Sequence, residues 1–230
     1  MKFYSLKKTT LIDYPERVAS IIFTKGCNLR CPFCHNKELV DDDFPIEPID
    51  WKEIFDLLIK RKNVLGGVCI SGGEPLLYCD DLKKVIDDIH SLGLKVKIDT
   101  NGIKVEALKY IDADYIAMDI KTSIDKYDLL GYIGSDNYKE NVPKSIDYII
   151  KSGIDHEFRT TVVPDIVNIE DINKICSMIK NSKRYILAQF RPFNTLDPEF
   201  EQKRPYPYRI LEEMRNIAVS LGINCSIRGE

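Results

Sequence analysis

The chain has 230 residues, of which 44% are hydrophobic and 30% charged, a composition typical of globular proteins rather than disordered chains. Its net charge of −3 counts against the basic surface on which nucleic-acid binding depends. The longest apolar runs, such as 18–23, are far shorter than the ~20 residues of a membrane helix, and the first residues contain no secretory signal pattern. These features predict a soluble cytoplasmic protein.

Along the chain, short apolar runs typical of buried strands alternate with amphipathic segments typical of helices. The first strand, 18–23, runs directly into a cysteine-rich loop, and Asp50 with Glu53 forms a capping-box pattern that predicts a helix start. Further strands are predicted at 67–71, 94–99, 114–120, 154–163, 184–190 and 223–228. Further helices are predicted at 81–93, between 102 and 114, and at 139–152, 169–180 and 208–221.

Six β/α repeats with short connections predict an α/β fold with a parallel sheet and helices outside it. Six units are too few for an eight-unit barrel, so the pattern fits both an open, TIM-like partial (β/α)6 barrel and a doubly wound sheet. No internal repeat and no linker interrupts the chain. We therefore expect one domain over 1–230, which includes the cysteine loop at 24–36 and the C-terminal loop and helix at 191–230.

Three of the seven cysteines, Cys27, Cys31 and Cys34, lie within one short loop. Thiolates are soft ligands suited to zinc or to iron–sulfur clusters. A structural zinc site closes with four ligands, and here only His35 stands beside the three cysteines. Three ligands with an open position indicate a reactive centre, while a zinc knuckle completed by His35 or a distant cysteine remains the alternative. The other cysteines are expected to be small packing residues: Cys69, Cys79, Cys176 and Cys225.

Polar motifs follow the later strands, at the carboxyl ends where α/β enzymes place their chemistry. The two glycines of GGEP (72–75) let backbone approach a ligand closely, although an ordinary turn is the alternative. For the remaining motifs, turn formation and salt bridges are the alternatives to a functional role. These motifs are DTNG (99–102), Asp119 with Lys121, Arg159, and Gln189 with Arg191.

The CxxxCxxC spacing with Phe33 before the last cysteine, followed in order by GGEP, DTNG, MDIK and QFRP, resembles the radical S-adenosylmethionine (radical SAM) family over most of the chain. The resemblance implies a partial (β/α)6 barrel and a [4Fe–4S] cluster held by Cys27, Cys31 and Cys34. The fourth iron of that cluster would bind S-adenosylmethionine (SAM). One electron from the cluster would cleave SAM into methionine and a 5′-deoxyadenosyl radical, which takes a hydrogen atom from a substrate.

The same resemblance implies further site residues. Those that would contact SAM are Phe33, Gly72, Gly73, Glu74, Asp99, Lys121 and Arg159. Glycyl-radical activating enzymes also hold a monovalent cation, and the matching residues are Asp99, Thr100, Asp119 and the carbonyl of Ala117. A further site loop would comprise His35, Asn36, Gln189, Arg191 and Asn194. Pyruvate formate-lyase activators tend to carry a histidine where Asn194 stands, so this position departs from their pattern.

Taken together, LIDYP, CHN, MDIK and QFRP most resemble the activating proteins of anaerobic ribonucleoside-triphosphate reductase. The resemblance implies an oxygen-sensitive enzyme that places a glycyl radical on this large partner, with reduced flavodoxin or ferredoxin as the electron donor. One alternative is a radical SAM enzyme for a small molecule or a tRNA nucleoside, of the deazapurine-forming or tRNA-modifying type. Another is a zinc-stabilised binding module without catalysis. The net charge of −3 counts against tRNA.

Overall fold

The computed structural model describes residues 1–40 and 44–229. The chain divides into two compact units. The first comprises Met1–Asn28, Glu38–Thr100 and Glu106–Ile116, and the second comprises Leu29–Lys37, Asn101–Val105 and Ala117–Glu230. The division falls inside the cysteine loop and again inside strand β7 (Tyr115–Asp119). The expectation of one domain over 1–230 stays a prediction.

The first unit is built on four neighbouring strands in the order β2, β3, β5, β6. β3 (Ala19–Thr24), β5 (Gly67–Gly72) and β6 (Lys95–Thr100) are parallel, and β2 (Ser5–Thr10) runs antiparallel to β3. Most side chains of the two central strands are buried, because parallel strands covered on both faces carry continuous apolar runs. A small antiparallel pair joins β1 (Lys2–Phe3) to β4 (Ile49–Asp50).

The helices of this part of the chain lie between its strands in sequence. They are α1 (Lys37–Val40), α2 (Trp51–Arg61), α3 (Cys79–Ser91) and α4 (Val105–Tyr110), with a 3-10 helix at Pro75–Tyr78. The predicted start of α2 is confirmed, since the Asp50 side chain caps it. That carboxylate accepts from the N–H of Lys52 at 2.9 Å, the second helical residue rather than the third.

The second unit contains three parallel neighbours, β8 (Asp155–Val162), β9 (Tyr185–Gln189) and β10 (Cys225–Arg228). Its helices are α5 (Tyr138–Ser152), α6 (Ile169–Met178) and α7 (Tyr208–Ser220), with 3-10 helices at Ile124–Leu130 and Pro198–Gln202. Parallel neighbours need a crossover, and α6 and α7 supply it. The predicted end of α5 at Gly153 is confirmed by its φ of 77°, which suits glycine.

The predicted α/β class with a mostly parallel sheet is confirmed, and every predicted strand and helix is present within a few residues. The prediction missed β2, whose SLKKTT sequence is mostly exposed at a sheet edge and so carries no apolar run. Nor did it find a 3-10 helix, Pro198–Gln202, in the irregular stretch 191–207. Among the helices of the described residues, none has the length and apolar run that crossing a bilayer requires.

Candidate active site

In the first unit, Gly72 at the end of β5 and Gly73 just after it pack against the backbone that enters the cysteine loop. A Cβ added to Gly73 would lie 1.9 Å from the carbonyl oxygen of Gly26, and one added to Gly72 would lie 2.3 Å from that of Thr24. The N–H groups of Gly73 and Glu74 donate to the carbonyls of Thr24 and Gly26 at 3.0 and 2.8 Å. The backbone that these glycines approach is therefore the chain's own.

Glu74 is fully buried, and its carboxylate holds the turn together. Its Oε1 accepts from the N–H of Leu76 at 3.1 Å and from the hydroxyl of Thr100 at 2.8 Å. The first of these bonds caps the 3-10 helix at Pro75–Tyr78, and the second ties the turn to the end of β6. A buried carboxylate needs such donors, because desolvation without them is costly. Thr100, predicted as a cation ligand, therefore donates to Glu74.

Asp99, predicted to contact SAM and a cation, forms a salt bridge with Lys97, two residues earlier on β6. The side chain of Lys97 is only 1% exposed, and its Nζ also lies 3.8 Å from Cys69 Sγ. Because a buried ammonium needs an anionic partner, Asp99 neutralises this lysine. Sequence analysis did not single out Lys97, since nothing in its local pattern marks a buried lysine.

The cysteine loop crosses from one unit to the other. Cys27 belongs to the first unit, and Cys31 and Cys34 belong to the second. The N–H of Cys34 donates to the carbonyl of Cys31 at 3.0 Å, which closes a turn between these two thiols. Before that turn, the N–H of Arg30 donates to the carbonyl of Leu130 at 2.9 Å. Backbone hydrogen bonds therefore hold both Arg30 and the turn from Cys31 to Cys34 in place.

Beside the second unit's thiols, two cations converge on one carboxylate. Asp119 accepts from Arg159 Nε at 2.7 Å and from Lys121 Nζ at 2.9 Å. Burial alone would raise the pKa of Asp119, but the charges of Arg159 and then Lys121 outweigh it and hold that pKa well below its usual range. Burial would lower the pKa of Lys121, yet Asp119 and the nearby Cys31 and Cys34 raise it. Arg159 is thus salt-bridged, the alternative that the sequence left open.

The thiols fit a soft metal group by their chemistry. Burial raises the pKa of Cys34, while the N–H of Asn36 and the charges of Lys121 and Arg30 oppose that rise. Metal ligation requires thiolates, which nearby cations favour. Over residues 1–40 and 44–229, no three cysteine, histidine, aspartate or glutamate side chains are grouped so as to hold a metal ion. The ligand assignment therefore depends on the donor set and its spacing.

The predicted site loop is brought together only in part. His35 Nε2 makes a 2.8 Å hydrogen bond with the carbonyl oxygen of Arg191, and the Asn194 amide donates to the carbonyl of His35 at 3.2 Å. Asn36 is exposed, and Gln189 donates to the carbonyl of Tyr206 at 2.9 Å instead. Three of the five predicted residues therefore meet directly.

Other residues that contact the cysteine loop were not predicted. The N–H of Asp197 donates to the carbonyl of Pro32 at 2.9 Å, and the ring of Phe200 lies 6.5 Å from that of Phe33. The ring of Phe193 stacks on His35 at 5.2 Å. The aromatic residues of the segment after β9 were the available signal, but a sequence cannot tell a contact of this kind from ordinary packing.

The cysteines outside the loop behave largely as predicted. Cys69 and Cys176 are 0% and 1% exposed, and Cys225 is buried too. Burial raises the pKa of Cys176 to about 11 and, together with the neighbouring Cys176 thiol, that of Cys225 to about 12, so both thiols are neutral at pH 7. Cys79 is only half-buried. Neutral buried thiols of this kind are packing residues.

Comparison with known proteins gives a consistent result. The family model for the radical SAM superfamily matches residues 21–179. A Methanocaldococcus jannaschii protein provisionally assigned as a glycyl-radical enzyme activating enzyme is 34% identical over 94% of this chain and 91% of its own length. The pyruvate formate-lyase-activating enzyme of Clostridium pasteurianum is 28% identical over 91% of this chain and 89% of its own length.

Among solved structures, SuiB of Streptococcus suis bound to SAM superimposes with a TM-score of 0.68 at 18% identity, over 91% of this chain. This chain spans about half the length of SuiB, with 50% of that protein covered. At that identity the superposition shows the fold alone. The family match across most of the chain, the near-full-length relatives and the CxxxCxxC loop lead to one conclusion: the chain belongs to the radical SAM superfamily and is a radical SAM enzyme.

Proposed function

We propose that this enzyme is an activase that generates a glycyl radical on a partner protein. The observation that carries the proposal is near-full-length similarity to two proteins named for activating a glycyl-radical enzyme and pyruvate formate-lyase. The similarity extends over more than nine-tenths of the chain, well beyond the cysteine loop. Anaerobic ribonucleoside-triphosphate reductase is the partner that we propose, on the residues of LIDYP, CHN, MDIK and QFRP.

In this proposal Cys27, Cys31 and Cys34 hold a [4Fe–4S] cluster. When bound, the cluster supplies the electron that cleaves SAM into methionine and a 5′-deoxyadenosyl radical. Reduced flavodoxin or ferredoxin is the proposed electron donor. The chain's own contribution is to place cationic side chains near Cys34, which partly offset the rise in its pKa caused by burial, and to hold the loop in position. The cationic neighbours of Cys34 and the backbone bonds at both ends of the loop support these two roles.

SAM is proposed to contact Phe33, Lys121 and Arg159 in the second unit, and the residues 72–74 and Asp99 in the first. Lys121 and Arg159 both bind Asp119, so a SAM carboxylate at these cations would share them with that side chain. The monovalent cation also stays a prediction. Of its proposed ligands, Asp99, Thr100 and Asp119 each bind another side chain of the protein.

The first experiment tests the reaction class. The protein is purified without oxygen, reconstituted with iron and sulfide, and mixed with SAM and dithionite, and 5′-deoxyadenosine is measured. We expect product from the wild type and from Cys176→Ala, a matched cysteine control whose thiol is buried outside the loop. We expect none from Cys31→Ala. Equal product from Cys31→Ala would contradict the ligand assignment.

The second experiment tests the activase. The reductase is labelled with deuterium at its glycine Cα positions and added to the same mixture. We expect a glycyl radical by electron paramagnetic resonance and deuterium in 5′-deoxyadenosine. Cleavage of SAM with neither signal would reject this partner. Transfer of hydrogen from a small molecule or a nucleoside instead would favour the alternative substrate class.

A further inference from the structure

His35, which follows the last cysteine of the loop, is held by contacts with the segment that follows β9. Its ring lies nearly parallel to that of Phe193, with centroids 5.2 Å apart and an interplanar angle of 12°. The ring of Phe190 is also nearly parallel, at 6.3 Å and 13°. Aromatic contacts of this geometry are favourable beyond the area that they bury.

Two hydrogen bonds hold the same residue. His35 Nε2 is 2.8 Å from the carbonyl oxygen of Arg191, and the carbonyl of His35 accepts from the Asn194 amide at 3.2 Å. Asn194 has a φ of 51°, a left-handed conformation that asparagine tolerates better than most residues. This backbone geometry lets one short segment present rings and polar groups together.

We infer that Phe190, Arg191, Phe193 and Asn194 form a clasp that positions the Cys31–Cys34 turn through His35. His35 is covalently joined to Cys34, and the N–H of Cys34 closes the turn onto Cys31 at 3.0 Å. Whatever limits the motion of His35 therefore limits the motion of both thiols. His35 and Phe193 are positioning residues in this account, and they do not act on the substrate.

An independent contact supports the clasp. The N–H of Asp197, three residues beyond Asn194, donates to the carbonyl of Pro32 at 2.9 Å. The same stretch of chain thus contacts the turn both between and after its cysteines. Phe193 is itself 56% exposed, so its ring adds little to the core, and its contact with His35 is the role that we assign to it.

The first test uses the protein without its cluster and does not depend on the proposed function. Hydrogen–deuterium exchange is measured on a peptide that covers 29–36. Loss of one aromatic contact of this kind corresponds to roughly a two- to tenfold change in an opening equilibrium. We expect exchange at the N–H of Cys34 to rise by that factor in Phe193→Ala and by at least as much in His35→Ala.

Two further variants separate the ring from the hydrogen bonds. His35→Phe keeps a ring for Phe193 and should restore slow exchange in large part. Asn194→Gly keeps the left-handed backbone but removes the amide, and it should raise exchange by a few-fold. The control is Tyr110→Ala, which removes a ring of nearly equal exposure, 54%, whose contact is with Lys83 at 5.7 Å. It should leave the exchange of 29–36 unchanged.

The second test uses the reconstituted protein, and it rests on the proposed function for the identity of the bound group. We expect a chelator to remove iron two- to tenfold faster from Phe193→Ala than from wild type or Tyr110→Ala. The resonance of the reduced cluster should broaden, because the ligands adopt a wider range of positions. If neither wild type nor any variant assembles a cluster, the proposed function is rejected. The exchange result alone then decides whether the clasp exists.

Exchange and thermal midpoints are measured on the same samples. If His35→Ala does not fold, Phe193→Ala and Asn194→Gly carry the test, since both change exposed residues. The clasp would be overturned if the Cys34 N–H exchanged at the same rate in these two variants as in wild type and Tyr110→Ala.

Discussion

The cysteine loop is fixed at its two ends by different means. Where the loop begins, Gly26 packs against the backbone of Gly73 and Glu74, and the Tyr78 hydroxyl also donates to the carbonyl of Lys25 at 2.8 Å. Where it ends, His35 is held by an aromatic ring and an amide side chain. Close packing of backbone against glycine backbone distinguishes the first end, and contacts between side chains distinguish the second.

The two ends of the loop should differ in how well they tolerate substitution. A backbone packed within van der Waals contact of another backbone leaves no room for a methyl group, and neither chain can move aside without breaking its hydrogen bonds. A ring stacked on a ring can be replaced by another ring at small cost. We therefore expect abrupt failure at the beginning of the loop and graded effects at its end.

The largest expected effect comes from Gly73→Ala, which tests the first end directly. The new Cβ would lie 1.9 Å from the carbonyl oxygen of Gly26, so the loop or the turn must shift. We expect the free energy of unfolding to fall by at least about 3 kcal/mol, the upper end of the usual cost of overpacking. We also expect the variant not to retain iron. Denaturant unfolding and iron analysis measure both.

The matched control for that substitution is Gly66→Ala in the same unit. A Cβ there would meet its nearest neighbour, Arg17 Cβ, at an ordinary 3.5 Å. Its free energy of unfolding should stay within about 1 kcal/mol of wild type, as for unstrained surface changes. Near-wild-type stability and iron content in Gly73→Ala would show that the beginning of the loop is not held as described.

The next largest effect concerns the charges beside the second unit's thiols. Asp119→Asn leaves Arg159 and Lys121 without their shared anion and should cost about 2 to 3 kcal/mol near pH 7, less than a fully buried pair. The pKa of Asp119 is depressed below its ordinary value of 3.8. The stabilisation that ionised Asp119 provides is therefore fully present above about pH 3.8 and is lost as the pH falls through the depressed pKa.

The measurement is the free energy of unfolding from pH 7 to pH 2. The gap in stability between wild type and Asp119→Asn should stay constant down to about pH 4 and narrow as the pH falls towards 2. Asp147→Asn, on the exposed face of α5, is the control, and it should change stability by only about 0.3 kcal/mol. A constant gap between wild type and Asp119→Asn at all pH values would contradict the ion-pair account.

A smaller effect is expected from Thr100→Val, which tests the buried carboxylate of the first unit. The substitution keeps the shape of the side chain but removes the 2.8 Å hydrogen bond to Glu74. It should lower the free energy of unfolding by about 1 to 2 kcal/mol. Thr100→Ser keeps the hydroxyl and should recover most of that loss. Equal stability of the two variants would argue against this bond.

The smallest effect is expected from cysteines outside the loop. Cys176→Ala removes one buried sulfur atom and should cost about 1 kcal/mol or less, by the scale of small core truncations. Iron content should equal that of wild type, because this thiol is buried and neutral. Loss of iron on this substitution would place Cys176 among the ligands and undermine the comparison.

Much of the architecture could be read from the chain. Runs such as 18–23 and 184–190 predicted strands because burial on both faces of a parallel sheet demands continuous apolar sequence. The helix start at Asp50 and the helix end at Gly153 followed from local capping rules. β2 was missed because an exposed edge strand carries no such pattern.

The site was less predictable, because partners distant in sequence decide the role of each polar residue. The sequence by itself determined the strand and helix pattern, the spacing of Cys27, Cys31 and Cys34, and the family. Tertiary structure alone decided that Arg159 binds Asp119, that Thr100 binds Glu74, and that the glycines at the end of β5 meet the chain's own backbone. Apolar periodicity is a local property, whereas the partner of a charge or a glycine depends on which strands become neighbours and in which register.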